Sequence, residues 1–390
     1  MQPQSTESAG KIGVINGLRG VAIIGVVYGH LYGVHIDASD HTVTLGWFKF
    51  YGASLLTNGM HGVTLFFILS GFALTLPYFQ NRRTMQSFAD ARAFYARRLR
   101  RLGPLYALCV LFCLTFIYPH EFYYWVPMMF TMAFSFNPNT FFPHFNPVLW
   151  TLAVEAAFSV VLPLVLIGVR RFGAKKMFLS ALVFCFLMRF FSAANNWSET
   201  VGNGLLGRFD DFMTGVFLAY LFFHHRHTRI PYGLLIGLLF LVVGFQCSDF
   251  SFVVSVHHLQ HLSSVRNVVH PLMYLLVELG CFFCIDALLR GRHRFAVWLM
   301  ENPLLQMVGL MSYSLYVWHY IMLEPLKATL DAVHLVRYLI MLGLLSLVSY
   351  RFIEFGHVAS IRKLLPSPRT VRFPLASWFR TSETSGTHPL

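Results

Sequence analysis

The sequence predicts an all-α integral membrane protein with about ten transmembrane helices and a short re-entrant or interfacial segment. Charged residues make up 12% of the 390 residues, against about 25% in soluble domains, and the mean hydropathy is +0.57. Apolar stretches of near-bilayer length recur along the chain. The predicted spans are 12–31, 61–79, 103–118, 147–169, 177–193, 209–223, 232–250, 271–289, 304–323 and 335–354.

The apolar stretch Trp125–Phe136 is too short to be an eleventh span. It lies in the region Pro119–Asn146, which contains no Lys or Arg. Counting it as a span would place the basic residues at 170–176 on the outer side of the membrane. We therefore expect a re-entrant or interfacial segment there.

The distribution of basic residues predicts the topology. Of the 30 Lys and Arg residues, 22 fall in the N-terminal tail, in alternate loops and in the C-terminal tail. The positive-inside rule then places both termini in the cytoplasm. We expect a cytoplasmic tail at 1–11, a membrane domain at 12–354 and a partly disordered cytoplasmic tail at 355–390. No cleavable signal peptide is evident, and the bacterial cytoplasmic (inner) membrane is the expected location.

Cysteine usage and charge exclude two other classes of protein. All six cysteines fall in or beside apolar segments, where thiols behave as small hydrophobic groups. Cys281 and Cys284 have the spacing of a zinc site, but no second pair accompanies them, so we expect no metal. The net charge of +13 has no soluble basic domain to carry nucleic-acid binding.

One apolar stretch, Ile15–His30, carries a cation near its start and an imidazole at its end. On a helix, the eleven-residue step from Arg19 to His30 turns about 20° past three full turns and rises about 16 Å. Both side chains would then face one cavity at different depths, which suggests a function because ionisable groups in spans are costly. Alternatively, Arg19 snorkels to the headgroups and His30 lies in the opposite interface.

A carboxylate in another span lies at a similar predicted depth to His30. The span that begins at Pro147 runs inward and leaves Glu155 about 12 Å below its outer end. A carboxylate beside an imidazole fixes its tautomer and raises its basicity, as a general base for a hydroxyl nucleophile requires. Alternatively, Glu155 is protonated and hydrogen-bonded to a neighbouring helix.

The predicted cytoplasmic loop at 80–102 holds seven arginines and one acid. Arg98 and Arg101 are three residues apart, so on a helix they share a face and can bind phosphates in bidentate fashion. A basic loop that anchors the protein against anionic lipid explains the same composition.

These stretches together resemble the type-3 acyltransferase family of polytopic membrane O-acyltransferases. The match covers Ile12 to about Glu354, and the order and spacing of its motifs are specific. The motifs are Asn16-Gly17-Leu18-Arg19-Gly20 with His30, Gly62–Phe72, Arg97–Tyr106, Trp150–Glu155, Ser312–His319 and Tyr350–Glu354.

The resemblance implies transfer of an acyl group, usually acetyl from acetyl-CoA, to a hydroxyl of a saccharide or lipid-linked glycan. It identifies Arg19 with His30, Arg98 with Arg101, and Trp150 with Glu155 as the family's motif residues. This sequence departs from the family pattern at three places, none of them an expected reacting group. Asn16 replaces the usual Asp, Thr151 replaces the usual Ser, and Glu354-Phe355-Gly356 lacks the usual proline.

These observations combine in one mechanistic hypothesis. Arg98 and Arg101 hold the nucleotide phosphates of acyl-CoA at the inner face, and Arg19 lines the channel. His30 takes the proton of the acceptor hydroxyl as it attacks the thioester, and Glu155 orients the imidazole. The expected partners are acyl-CoA, a glycan or lipid-linked saccharide and the lipid bilayer.

Further polar residues cluster near the predicted outer end. We take Trp150, Asp210, Asp211 and His319 as candidates on the acceptor side. Arg189 can pair with Asp210 or Asp211, and for this group we favour a structural clamp over acceptor binding. His319 can handle protons or form a hydrogen-bonded packing contact. Glu278, in the middle of a span, has no evident role in the sequence.

Two other functions fit parts of the pattern. Arg19, His30, Glu155 and Glu278 can instead form the relay of a proton-coupled transporter, which would move its substrate without acyl-CoA. Within the enzyme class, the acceptor can be a diffusible small molecule such as a macrolide. Loss of an ester on a surface sugar after gene deletion is expected only for the glycan acceptor.

Overall fold

The structure is a computed structural model that describes residues 4–33, 42–45, 48–52, 54–195, 199–225, 230–291, 293–324, 331–356, 358 and 364–366. Most of the predicted C-terminal tail, 355–390, lies outside these residues. The α-helices are α1 (Gln4–Tyr28), α2 (Ser54–Thr57), α3 (Gly62–Phe79), α4 (Phe88–Phe112), α5 (Phe122–Phe130), α6 (Trp150–Phe172), α7 (Ala174–Ala194), α8 (Glu199–Gly202), α9 (Leu205–His224), α10 (Gly233–Val256), α11 (Ser263–Leu289), α12 (Arg294–Met300), α13 (Pro303–Leu310), α14 (Ser312–Leu323) and α15 (Ala332–Val348). Strands β1 (Thr42–Leu45) and β2 (Phe48–Tyr51) form a two-stranded sheet.

Wider or tighter helical turns extend several of these helices. The chain continues α1, α4 and α15 as π-helix, at Gly29–Gly33, Cys113–Ile117 and Ser349–Glu354. Short 3₁₀ segments lie at Asn58–His61, Pro119–Glu121, Ala133–Phe136, Pro147–Leu149 and Gln260–Leu262. His30 therefore lies in a π-helical turn, where the backbone is wider than in the preceding helix.

The multi-pass membrane fold predicted from the sequence is confirmed. Among the described residues, eight helical stretches are long and apolar enough to cross a bilayer. They are Gly13–Leu31, Asn58–Phe79, Phe88–Ile117, Pro147–Phe172, Ala174–Ala194, Gly233–Ser255, Gln260–Leu289 and Ala332–Glu354.

Two of the ten predicted spans are not in this set. The segment 209–223 lies within α9, whose first turns carry three charged residues. The segment 304–323 is divided by Met311 into α13 and α14. The total of ten spans and the cytoplasmic side of both termini remain predictions.

Other boundaries also differ from the prediction. Helix α1 begins at Gln4, so most of the predicted tail at 1–11 is helical. The stretch Trp125–Phe136 contains the end of α5, which has nine residues, and then a left-handed residue at Met132 (φ 59°). A nine-residue helix is about 14 Å long and is too short to cross a bilayer, as expected of a re-entrant or interfacial segment.

Glycines let the helices that surround the site approach one another closely. A Cβ atom on Gly309 of α13 would lie 1.8 Å from the Asn16 carbonyl oxygen of α1. A Cβ atom on Gly215 of α9 would lie 2.0 Å from the Ile68 carbonyl oxygen of α3. Small residues at such crossings allow backbone-to-backbone contact inside a membrane, which fixes α1 against α13 and α3 against α9.

Stacked aromatic rings join three of these helices. The ring of Phe212 on α9 stacks on Phe67 of α3 at 4.7 Å and on Phe158 of α6 at 4.1 Å between centroids. All three side chains are buried. Offset aromatic stacks add stability beyond the area they bury, so this triplet fixes α6 beside α3.

The antiparallel hairpin of β1 and β2 was not predicted from the sequence. Its register pairs Thr42 with Tyr51 and Leu45 with Phe48. Gln246 of α10 continues the hydrogen bonding beyond β2: its Nε2 donates to the Tyr51 carbonyl at 3.0 Å, and its Oε1 accepts from the Tyr51 amide at 2.7 Å. The hairpin is therefore attached to α10 through a buried side chain.

Candidate active site

A cavity of about 370 Å³ lies between α1, α3, α4, α6 and α14. Its lining is strongly basic and also contains hydroxyl groups. The charged lining residues are Arg19, Arg83, Arg97, Arg98, Arg101 and Glu155. The hydroxyl groups belong to Ser70, Thr151, Ser312, Tyr313 and Tyr316.

Helix α4 supplies three of the five arginines. It begins at a capping box, in which Ser87 Oγ accepts from the Asp90 amide at 3.2 Å and Asp90 Oδ2 accepts from the Ser87 amide at 3.2 Å. Arg98 and Arg101 lie one turn apart on this helix and both reach the cavity, as their spacing predicts.

Glu155 is held by groups of the cavity wall. Arg98 Nη2 donates to Glu155 Oε1 at 2.6 Å, and Ser70 Oγ donates to the same oxygen at 3.1 Å. The Arg98 and Glu155 side chains are only 16% and 17% exposed. A charge-assisted hydrogen bond in such a sheltered place fixes the direction of the guanidinium.

Arg98 and Ser70 account for the described hydrogen bonds of the Glu155 carboxylate. These bonds do not include the expected one to His30, and the role of Glu155 in orienting that ring stays a prediction. A similar depth on two helices does not specify which neighbouring side chain a carboxylate meets.

His30 pairs with a second histidine instead. His30 Nδ1 lies 2.9 Å from the Val26 carbonyl oxygen and 3.2 Å from Nε2 of His319. The two ring centroids are 4.9 Å apart, and the rings are tilted by 60°. On the other side of His319, Nδ1 lies 2.7 Å from the Tyr316 carbonyl oxygen. His319, which the sequence assigned to the acceptor side, is thus a direct neighbour of His30.

Tyr316 adjoins both this histidine pair and the arginine-lined cavity. Its hydroxyl accepts from Thr151 Oγ1 at 2.9 Å and donates to the Val148 carbonyl at 3.1 Å. Among the described residues, Tyr316 and Thr151 belong to the cavity lining, and His30 and His319 do not. The described lining of this cavity thus includes Arg19 but not His30, and their common cavity stays a prediction.

A second charged group is buried between α7, α9 and α11. The Arg189 guanidinium binds Asp210 through two bonds, Nη1 to Oδ2 at 2.8 Å and Nη2 to Oδ1 at 2.7 Å, and both side chains are 1% exposed. Arg208 Nη1 lies 3.3 Å from Asp211 Oδ2. The predicted pairing of Arg189 with an aspartate is present and has the geometry of a clamp.

Tyr274 and Glu278 of α11 complete this group. The Tyr274 ring contacts both arginines, with the guanidinium carbons of Arg189 and Arg208 at 4.6 and 4.3 Å from its centroid. Glu278, whose role the sequence left open, is fully buried and accepts a hydrogen bond from Thr214 of α9. Carboxylate oxygens of Asp210, Asp211 and Glu278 lie within 4.8 Å of one another.

Comparison with known proteins identifies the chain. The acyltransferase-domain family model Acyl_transf_3 matches residues 12–353. The chain belongs to this type-3 acyltransferase family. The matched residues contain the whole arginine-lined cavity and both histidines.

Relatives of the chain include O-acetyltransferases of Staphylococcus aureus. OatA of strain NCTC 8325 / PS 47 is 24% identical over 365 residues, which cover 87% of this chain and 56% of OatA. A second protein, from strain COL and also named as an O-acetyltransferase, is 23% identical over 326 residues, which cover 78% of this chain and 50% of that protein. The chain thus spans about half the length of the curated relatives it matches. No solved structure matches it.

The motifs of the type-3 acyltransferase family meet in three dimensions, although they are far apart in the sequence. Arg19, Arg98, Arg101 and Glu155 share the cavity. Trp150 lies outside it, with its ring 5.7 Å from that of Phe141 and 5.9 Å from the Arg208 guanidinium carbon. Of the acceptor-side candidates, Asp210 and Asp211 belong to the buried ion pairs, and Trp150 lies beside Arg208. The fourth candidate, His319, lies beside His30 instead.

Three residues that shape this site were not predicted from the sequence. Ser70 fixes Glu155, and Tyr316 forms the cavity wall. Glu354 is 1% exposed and accepts a hydrogen bond from Ser314, which joins the end of the α15 segment to α14. All three lie within strings that carried the family resemblance, but their spacing gives no indication of what they contact.

Proposed function

We propose that the chain is an O-acyltransferase that moves an acyl group, in the first instance acetyl, from acyl-CoA at the cytoplasmic face to a hydroxyl of a saccharide or cell-envelope glycan. The cavity lined by five arginines is the observation that carries this proposal. The names of the relatives add support, because both name an O-acetyltransferase.

The lining of the cavity suits the anionic end of a coenzyme A thioester. Five guanidiniums face it and one carboxylate offsets them, so the cavity is positive. Guanidinium groups bind phosphate oxygens in bidentate fashion. The volume of about 370 Å³ is within the range of about 300 to 1,000 Å³ that is usual for small-molecule sites.

In this mechanism, Glu155 organises the donor site. Because Arg98 Nη2 is held on Glu155 Oε1 at 2.6 Å, the guanidinium has a fixed direction before any phosphate arrives. A preorganised arginine loses less side-chain entropy on binding than a mobile one. Glu155 is thus a positioning group for the donor.

The proposed chemical step takes place at His30, which is not part of the described cavity lining. The acceptor hydroxyl gives its proton to His30, its oxygen bonds to the thioester carbon, and the carbon–sulfur bond breaks. The proton held by His30 then passes to the departing thiolate, which leaves as coenzyme A. Because Tyr316 lines the cavity and also contacts His319, the thioester end of the donor would reach His30 past this side chain.

A pair of double variants tests the donor site. In protein reconstituted in nanodiscs, Arg98→Ala with Arg101→Ala removes two cavity arginines, whereas Arg92→Ala with Arg100→Ala removes two exposed arginines of the same helix that do not line the cavity. Each lost charged hydrogen bond costs about 1.5 to 3 kcal/mol, so we expect the Kd of acetyl-CoA to rise at least about 100-fold in the first variant and to stay within about twofold in the second.

Equal effects of the two double variants would refute a specific donor site and favour the anchoring of a basic loop on anionic lipid. Transfer itself is measured with labelled acetyl-CoA and candidate glycans. A His30→Ala variant that binds donor and transfers at the normal rate would refute the assignment of His30 as base. Substrate flux through the protein without acyl-CoA would favour a transporter.

A further inference from the structure

We propose that His319 is the positioning residue of His30: it holds the hydrogen of His30 on Nδ1 and so makes Nε2 the atom that takes the proton from the acceptor. This inference rests on the proposed acyl transfer for its kinetic consequence, but its geometric content concerns the tautomer of His30 alone. It replaces Glu155, which the structure places with Arg98, in the role of orienting group.

The positions of the hydrogens are inferred from the groups that face Nδ1 of each ring. His319 Nδ1 faces the Tyr316 carbonyl oxygen at 2.7 Å, and a carbonyl only accepts, so the neutral His319 ring carries its hydrogen on Nδ1. Nε2 of His319 is then a lone pair. It lies 3.2 Å from His30 Nδ1.

The groups around His30 Nδ1 determine the tautomer of His30 in the same way. Its Nδ1 faces two acceptors, the Val26 carbonyl at 2.9 Å and the His319 lone pair at 3.2 Å. A hydrogen on His30 Nδ1 satisfies both, whereas a lone pair there would face two other lone pairs. The neutral His30 ring therefore has its basic lone pair on Nε2, and the second ring nitrogen sets the tautomer, as in other oriented imidazoles.

The surroundings keep His319 in this orientation. The side chain of His319 is fully buried on α14. The Tyr320 ring meets His30 edge-on, with 5.5 Å between centroids. When His30 Nε2 accepts the acceptor proton, the positive ring keeps its Nδ1 hydrogen on Val26 and His319, and the proton at Nε2 is later released to the coenzyme A thiolate.

Two conservative variants separate positioning from packing. In His319→Gln, the side-chain amide can place an oxygen where Nε2 now lies and accept from His30. In His319→Asn, the shorter amide reaches only the position of Nδ1. We expect kcat to fall about 10- to 100-fold in the Asn variant, within the range that general base catalysis contributes, while the Kd of acetyl-CoA stays unchanged. The Gln variant should recover most of the loss.

Tyr338→Phe is the matched control, because it removes a buried hydrogen bond to the His319 backbone without touching the His30 ring. It should retain wild-type kcat. Equal losses in the Asn, Gln and Phe variants would overturn the proposal, since a packing role predicts them.

A measurement without turnover tests the tautomer directly. In nanodiscs, ¹⁵N NMR of histidine-labelled protein, with His30→Ala to assign the signal, should show the Nδ1-protonated form of His30 in wild type and His319→Gln. A mixture of tautomers is expected in His319→Asn. If the wild type has this tautomer but transfers no acyl group, the proposed function fails and the positioning role stands. If wild type and His319→Asn have the same tautomer, the positioning role is refuted whatever the activity.

Discussion

Asp210→Asn tests whether the buried arginine–aspartate pair is a clamp or an acceptor site. The change keeps the shape of the side chain and removes its charge. Arg189 then keeps a full positive charge at a position that is 1% exposed. Because a charge in such a place needs a counter-charge, we expect the variant to be strongly destabilised.

The size of the effect follows from the contacts. Removing one partner of a buried ion pair costs about 3 to 5 kcal/mol. The amide oxygen of Asn can still accept one of the two bonds from Arg189, and the Tyr274 ring at 4.6 Å still faces the guanidinium. Both contacts favour the lower end of the range, so we expect the free energy of unfolding to fall by about 3 kcal/mol.

Unfolding in mixed micelles by titration with a denaturing detergent measures this difference. The double variant Arg189→Met with Asp210→Leu is the matched control, since it removes both charges and should recover most of the lost stability. An Asp210→Asn protein that unfolds like wild type, but whose KM for the acceptor rises, would refute the clamp and assign the pair to acceptor binding.

Three further variants test the fold around the site. Gly215→Ala should lower the free energy of unfolding by about 3 kcal/mol, because the added Cβ would lie 2.0 Å from the Ile68 carbonyl oxygen. The same detergent titration measures this free energy. A change below about 0.5 kcal/mol would contradict the close contact between α3 and α9. Gln246→Leu should speed amide hydrogen exchange at Tyr51, since it removes the acceptor of that N–H at 2.7 Å, and unchanged protection would show that another group holds the hairpin. Tyr316→Phe removes two hydrogen bonds of the cavity wall and should leave the Kd of acetyl-CoA within about threefold while changing kcat; a large loss of donor affinity would place Tyr316 in the donor site instead.

The membrane fold and the shared face of Arg98 and Arg101 were predictable because they depend on local properties. Apolar length marks the spans, and three-residue spacing on one helix places Arg98 and Arg101 on one face whatever surrounds them. The segments at 209–223 and 304–323 lack the uninterrupted apolar helical length of the other predicted spans. In the first, charged residues that pair across helices lower the apolar character, and in the second, the chain breaks at Met311.

The contacts between helices were not predictable in the same way. Glu155 and His30 were expected at similar depths, but depth does not specify which neighbour a carboxylate meets. Glu155 binds Arg98, because the guanidinium donates a charge-assisted hydrogen bond to it at 2.6 Å. The pairing of His30 with His319 joins residues 289 positions apart, and no periodicity connects them. The hairpin at 42–51 was missed for a related reason, since its anchor Gln246 lies on a distant helix.

The division of the chain at Met311 makes α14 a short, separate rod of twelve residues. Tyr316, which lines the cavity, and His319, which lies beside His30, are on that one rod about one turn apart. A rigid displacement of α14 would therefore move part of the cavity lining and the contact between the two imidazoles at the same time.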